Sequence, residues 1–391
     1  MGSSDCYLPP SDSPDLTLVV PTPEERIQCL KANSREWKGL LDPDQYIQRE
    51  NHLLNQDMTK DGAMTQWILV DRHLPPDNRP ILSSCESFGK RAWLAHGGEV
   101  EQIIAHGVGS VFSKPEFRRR GYGGRMITEL AKRLDTWQQE DSVRKKSIFS
   151  VLYSDIGKTF YGERGWKAFP SSHICLPPTS NDRVRQVISG IDLSMGREMQ
   201  ADDVRRFMCS DAALERYRQV LREASLNSKK AKVGFVPDYA ALSWHWAREE
   251  FYSKILVPDK GEPKVKGACV ESRKVFICWN RNFGKTEKDS VLYILRTLYE
   301  EPKSPAEEQG VAEALAAALY RAQLEAHEWG MSRVEIWNPS PVVEKAAKML
   351  SETAQVEHRE QTSICSLKWN GKQLGLGEDV DWYWNEKYAW C

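Results

Sequence analysis

Chemistry-bearing residues concentrate in the stretch Pro115-Glu116-Phe117-Arg118-Arg119-Arg120-Gly121-Tyr122-Gly123-Gly124. Three consecutive arginines supply positive charge, and closely spaced glycines let the backbone approach a ligand. The apolar run before it, Ile103 to Phe112, reads as a strand, and the residues after it, Arg125 to Leu134, repeat apolar positions at helical spacing. A strand that enters a helix this way offers unbonded N–H groups and the positive end of the helix dipole, a site suited to a diphosphate. Gly107 and Gly109 lie inside the strand, where glycine marks a bulge or the close approach of another chain.

One predicted helix and one predicted strand later comes Ser154-Asp155-Ile156-Gly157-Lys158-Thr159-Phe160-Tyr161-Gly162-Glu163-Arg164-Gly165-Trp166. The spacing of Arg118, Gly121 and Gly123 resembles the acyl-CoA loop of the GCN5-related N-acetyltransferases (GNAT). Tyr161, Gly165 and Trp166 match that family's other signature, whereas Ser154 stands where Asn is usual and Gly157 where Ala is usual. The resemblance implies acetyl-CoA as cosubstrate and no metal. It implies that Arg118, Arg119, Arg120, Gly121, Tyr122, Gly123 and Gly124 hold the CoA phosphates, with Ser154 beside the pantetheine arm.

Acyl transfer to an amine passes through an oxyanion and expels a thiolate. Backbone N–H groups of Val111, Phe112 and Ser113 are expected to hold the oxyanion. Tyr161 is expected to protonate the thiolate, as the tyrosine at this place does in the family. An alkyl ammonium, with a pKa of about 10.4 in water, must lose a proton before it attacks. His106, on the central strand, is the expected base, with Glu99 and Glu101 as alternatives.

The elements around these residues predict an α/β fold with mixed sheets. Strands are expected at 16–20, 66–70, 81–88, 103–112 and 147–153, with helices from Thr22 to Trp37, from Pro43 to Leu54 and from the loop to Glu140. Leu176 to Asp182 has linker composition and separates a GNAT domain, 1–175, from a second domain, 183–391. The second domain repeats the order strand, loop, helix, strand, short helix, strand. Its loop between Glu300 and Gly310 is acidic and lacks the arginines and glycines, so it is expected to be a GNAT-like copy without a cofactor site.

The 391 residues carry a net charge of −1, which gives no global field for nucleic acid. The basic cluster Arg144 to Lys146 is local and reads as a solvated face. No apolar run reaches membrane-spanning length. Nine scattered cysteines without a CxxC pair fit reduced thiols, and the expected location is cytoplasmic.

The acceptor amine is not written in either motif. The layout and the aromatic tail, Asp381 to Tyr388, are similar to the fungal lysine N6-acetyltransferases of lysine catabolism, which implies free L-lysine as acceptor. Trp382, Trp384 and Glu386 are expected at the amine, because aromatic walls with a carboxylate suit a cationic aliphatic chain. Acetylation of a protein or peptide, and a non-catalytic CoA-binding scaffold, are the alternatives.

Overall fold

The computed structural model describes residues 8–138, 147–180 and 191–390. Single-turn helices aside, the first part of the chain forms β1 (Leu16–Val19), α1 (Pro23–Trp37), α2 (Pro43–Leu54), β2 (Met64–Asp71), β3 (Ser83–His96), β4 (Glu99–Phe112), α3 (Tyr122–Leu134), β5 (Ser147–Ser154), α4 (Thr159–Gly162), β6 (Lys167–Ala168) and β7 (Ser172–Leu176). After residue 191 come β8 (Arg197–Met199), α5 (Ala201–Met208), α6 (Asp211–Leu226), β9 (Ala231–Phe235), α7 (Tyr239–Leu256), β10 (Gly267–Val270), β11 (Val275–Asn282) and β12 (Val291–Leu298). The chain ends with α8 (Pro305–Glu328), β13 (Arg333–Trp337), α9 (Pro341–Leu350), β14 (Glu357–His358), β15 (Ile364–Trp369) and β16 (Val380–Trp382).

Local chemistry accounts for most of these boundaries. Thr22 caps α1 and Asp42 caps α2, each with Pro at the first helical position and a reciprocal bond from Glu25 or Gln45. Ser304 and Pro305 start α8 in the same manner. The helix after the basic loop stops at Leu134, short of the expected end; Glu140 and the cluster Arg144 to Lys146 lie outside the described residues, as do Asn181 and Asp182 of the linker.

The strands form two mixed sheets. One runs β1-β2-β3-β4-β5-β15-β6, with β9 paired to the far half of β3 and β16 paired to β9. The other runs β14-β7-β13-β12-β11-β10-β8. Each is built around a parallel pair, β4 with β5 and β12 with β13. Each also borrows the strand beyond that pair from the other half of the chain: β15 lies antiparallel to β5, and β7 lies antiparallel to β13. The sheets therefore do not part at the linker. One apolar core crosses between the halves, with Phe88, Trp93 and Phe149 packed together with Phe235, Trp246 and Leu295. Exchanged strands and a shared core hold the halves in register and stiffen the clefts between them.

Candidate active site

β4 and β5 pair only as far as Val108 and Leu152, yet β4 continues to Phe112 and β5 to Ser154. The two arms diverge, and the gap opens into a cavity of about 660 Å³ lined by residues of both. On its other side β4 is bulged. Between the pairs Ser84–Phe112 and Glu86–Gly109, β3 has one residue and β4 has two, Ser110 and Val111. Ser110 sits at φ 52°, a left-handed conformation that absorbs the extra residue. Val111, Phe112 and Ser113 line the cavity beyond the last β5 pair. The glycines inside the strand thus mark both the bulge and the opening.

The basic loop closes one end of this cavity. Arg119 at φ 62° and Gly121 at φ 83° reverse the chain into α3. Gly121 is the N-cap and carries no side chain to occupy the first helical N–H groups, so these remain available to an anion. Arg118, Arg119, Gly121, Tyr122, Gly123 and Gly124 all line the cavity. Arg118 is held by Glu36 at 2.9 Å and by the Ser113 carbonyl at 3.0 Å. A Cβ on Gly124 would lie 2.7 Å from Arg164 Nη2, whereas one on Gly123 would meet nothing closer than Ser113 Oγ at 3.6 Å. Tyr122 donates its hydroxyl to the Pro9 carbonyl at 2.6 Å and so ties the N-terminal segment to the loop.

Tyr161, on the single turn α4, lines the same cavity near the mouth of the opened strands. Burial holds its phenol well above the usual range, so it keeps its proton at neutral pH. Facing the bulge from β3 is Glu86, whose carboxylate accepts a bond of 2.6 Å from Ser110 Oγ. It is 4% exposed and lines the cavity. Burial, and then the neighbouring Glu50 carboxylate, push its pKa up to about 7. A buried carboxylate, a protonated phenol, the bulged arm of β4 and a basic loop with an open helix start thus share one cleft.

Comparison with known proteins identifies the family. The family model described as the LYC1 GNAT-like C-terminal domain matches residues 173–391. The chain belongs to this family. It is a GNAT-superfamily acetyltransferase. Among curated proteins it is similar to the Saccharomyces cerevisiae protein described as "Uncharacterized protein YGR111W", 24% identical over 92% of this chain and 93% of that one. The Yarrowia lipolytica protein described as "Lysine acetyltransferase" is 22% identical over 81% of this chain and 83% of its own. Among solved structures, Saccharomyces cerevisiae N-myristoyltransferase with bound myristoyl-CoA and inhibitors superposes with a TM-score of 0.52 at 10% identity, over 94% of this chain and 82% of that one. That likeness is one of fold.

Several residues expected at the site lie elsewhere. His106 is fully buried within the sheet and does not line the cavity. Its ring nitrogens face Ser147 Oγ at 2.9 Å and Gln138 Oε1 at 3.1 Å. Burial depresses it to about 4, leaving a neutral, engaged ring and a poor base. Glu99 and Glu101 are exposed at the start of β4, roughly 30 Å or more along the strand from the bulge. The carboxylate that lines the cavity is Glu86, which the sequence marks only as a lone charge within a stretch otherwise suited to burial. Ser154 turns inward to donate to the Gly157 carbonyl at 2.6 Å and accept from the Ile156 N–H at 3.2 Å, so it shapes the turn before α4 instead of lining the cavity. Arg120 is exposed and points away from the lining.

The tail is the largest departure. Pairing of β16 with β9 places Trp382, Trp384 and Glu386 around a second cavity of about 1330 Å³, with the acidic loop before α8 on its opposite side. There the Glu386 carboxylate is tied to Arg296 and accepts from the Thr297 N–H at 2.9 Å, so it is not free to meet an amine. Only Trp390 reaches the catalytic cavity, where the Lys90 ammonium holds the end of the tail through the Ala389 carbonyl at 3.0 Å. Among the described residues no group of three metal-ligating side chains occurs, and no helix is long and apolar enough to cross a membrane.

Proposed function

We propose that this protein transfers the acetyl group of acetyl-CoA to the N6 amine of free L-lysine by direct attack within a ternary complex. The observation that carries the reading is the convergence of Glu86, Tyr161 and the bulged arm of β4 on the one cavity that the anion loop closes. The loop from Arg118 to Gly124 would hold the CoA phosphates, and the arms of β4 and β5 would receive the pantetheine chain and the thioester between them. The Glu86 carboxylate takes a proton from the ammonium, and the amine nitrogen then forms a bond to the thioester carbon. Val111 to Ser113 N–H groups hold the oxyanion while it exists. As the C–S bond breaks, the sulfur carries away the electron pair and Tyr161 supplies its proton. The nitrogen, which still carries a second proton that must leave, passes it to the Tyr161 phenolate; acetyl-amine and CoA thiol then depart, and Glu86 releases its proton to solvent.

Lysine as the acceptor is supported by the name of the Yarrowia relative and by a cavity that has walls from α2 and α7 as well as the sheet. Release of CoA from acetyl-CoA, measured against free amino acids, polyamines and lysine-containing peptides, tests the reading. Turnover with L-lysine above all others is the expected result; preference for a peptide, or no turnover with bound acetyl-CoA, overturns it. In the same assay Tyr161→Phe should lower kcat about 10- to 100-fold with little change in the KM for acetyl-CoA, because the lost hydroxyl acts on the departing sulfur.

A further inference from the structure

The α7 helix contributes two side chains to the wall of the catalytic cavity, Trp244 and, one turn later, Arg248. The opposite side of the helix is pinned to β11 and its surroundings. Trp246 Nε1 donates to the Trp279 carbonyl at 2.8 Å, and Glu249 accepts from Lys266 Nζ at 2.8 Å. This fixes the rotation of α7, so the direction of Trp244 and Arg248 is set by packing and not by their own contacts.

Arg248 is half-buried. Its Nη1 donates to Asn282 Oδ1 at 2.7 Å, and its guanidinium lies over the Tyr252 ring with 5.1 Å to the centroid. Among the described residues it has no carboxylate at ion-pair distance, unlike Arg49 with Glu50 and Arg118 with Glu36 on the same cavity. Trp244 is 5% exposed, and its indole N–H has no acceptor among the described residues. A cation without a carboxylate partner and, one turn away, a neutral donor without an acceptor form half of a carboxylate site. The other charged side chains that line the cavity are Glu86 on β3, the paired Arg49 and Glu50 on α2, Arg118 and Arg119 of the basic loop, and Asp155 just after β5.

We infer that Arg248, assisted by the Trp244 indole N–H, binds the α-carboxylate of a free amino acid whose reacting amine is on the side chain. This rests on the acetyltransferase reading above and names the class of its substrate. A lysine within a polypeptide has an amide where the free amino acid has this carboxylate, and a plain diamine has nothing there. Arg248 therefore makes the site select a free amino acid against both. Burial, and then the nearby Arg49, lower the basicity of Arg248, as expected for a cation whose counter-charge arrives with the ligand.

The test compares L-lysine, lysinamide and cadaverine as acceptors for the full-length wild type, Arg248→Met and Arg248→Lys. The wild type should prefer L-lysine to cadaverine by about 100-fold in kcat/KM, and Arg248→Met should erase most of that preference by raising the lysine KM. Cadaverine kinetics and the acetyl-CoA KM should stay within about two-fold, and Arg248→Lys should recover part of the preference. Equal losses on lysine and cadaverine, or no loss on lysine, overturn the inference. Calorimetric binding of L-lysine in the presence of CoA separates the two readings. Binding that depends on Arg248 without turnover sinks the reaction and keeps the carboxylate site, whereas no binding to the wild type overturns the site itself.

Discussion

Glu86→Gln is expected to lower kcat by about 10²- to 10⁴-fold while acetyl-CoA still binds, since it removes the proton acceptor and keeps its shape. The pH dependence carries the stronger signature. Glu86 is raised to about 7, so below that pH it is protonated and cannot accept. Wild-type kcat/KM should fall as the pH drops through about 7 and level off above it, and the variant should lose that limb. Stability should move in the opposite direction. An acid raised in the folded state binds its proton more tightly there than in the unfolded chain, so its ionisation costs stability as pH rises from the ordinary glutamate range to about 7. Glu86→Gln should therefore melt higher than the wild type at pH 8, on the order of 1–3 kcal/mol. A variant that is more stable and slower separates catalysis from folding; one that is unstable, or that keeps full activity, removes Glu86 from the mechanism.

Gly123→Glu is expected to weaken acetyl-CoA binding about 30-fold without unfolding the protein. The position lies in the first turn of α3 and lines the cavity, and a Cβ there meets only ordinary contact with Ser113 Oγ at 3.6 Å. The new carboxylate would stand where the loop is built for phosphate. Two like charges about 4 Å apart interact by about 4 kcal/mol at an effective dielectric of 20. Half of that, allowing for solvent, weakens binding about 30-fold. Calorimetry with CoA should show that loss, while circular dichroism and the melting temperature of the ligand-free protein stay close to the wild type. Unchanged CoA affinity would detach the loop from the cofactor.

The parts of the site that rest on consecutive residues were legible before any fold was known. The basic glycine loop, its strand and its helix are contiguous, and their physics is local: a left-handed turn at Gly121, an uncapped helix start and nearby arginines. Tyr161 follows from its place in a short motif, and Gly107 and Gly109 announced a bulge that the structure shows at Ser110 and Val111. The second half also showed its copied order of elements, because helical and strand periodicities are written residue by residue.

Contacts between distant segments were not legible. Whether His106 or Glu86 faces the cavity depends on which side of the sheet each alternating position takes, and the bulge shifts that alternation. Glu86 gains its pKa of about 7 from burial against residues far along the chain, which no local pattern reports. The exchange of β7 and β15 between sheets, and the pairing of β16 with β9, carried the aromatic tail to the second cavity and left only Trp390 at the first. Arg248 was one arginine among many until α7, pinned on β11, aimed it into the cleft without a counter-charge. Local sequence thus specified the cofactor loop and its chemistry. The proposed base and the proposed contacts to the amine rest instead on long-range strand pairing and burial, because side-chain direction and desolvation exist only once distant segments pack.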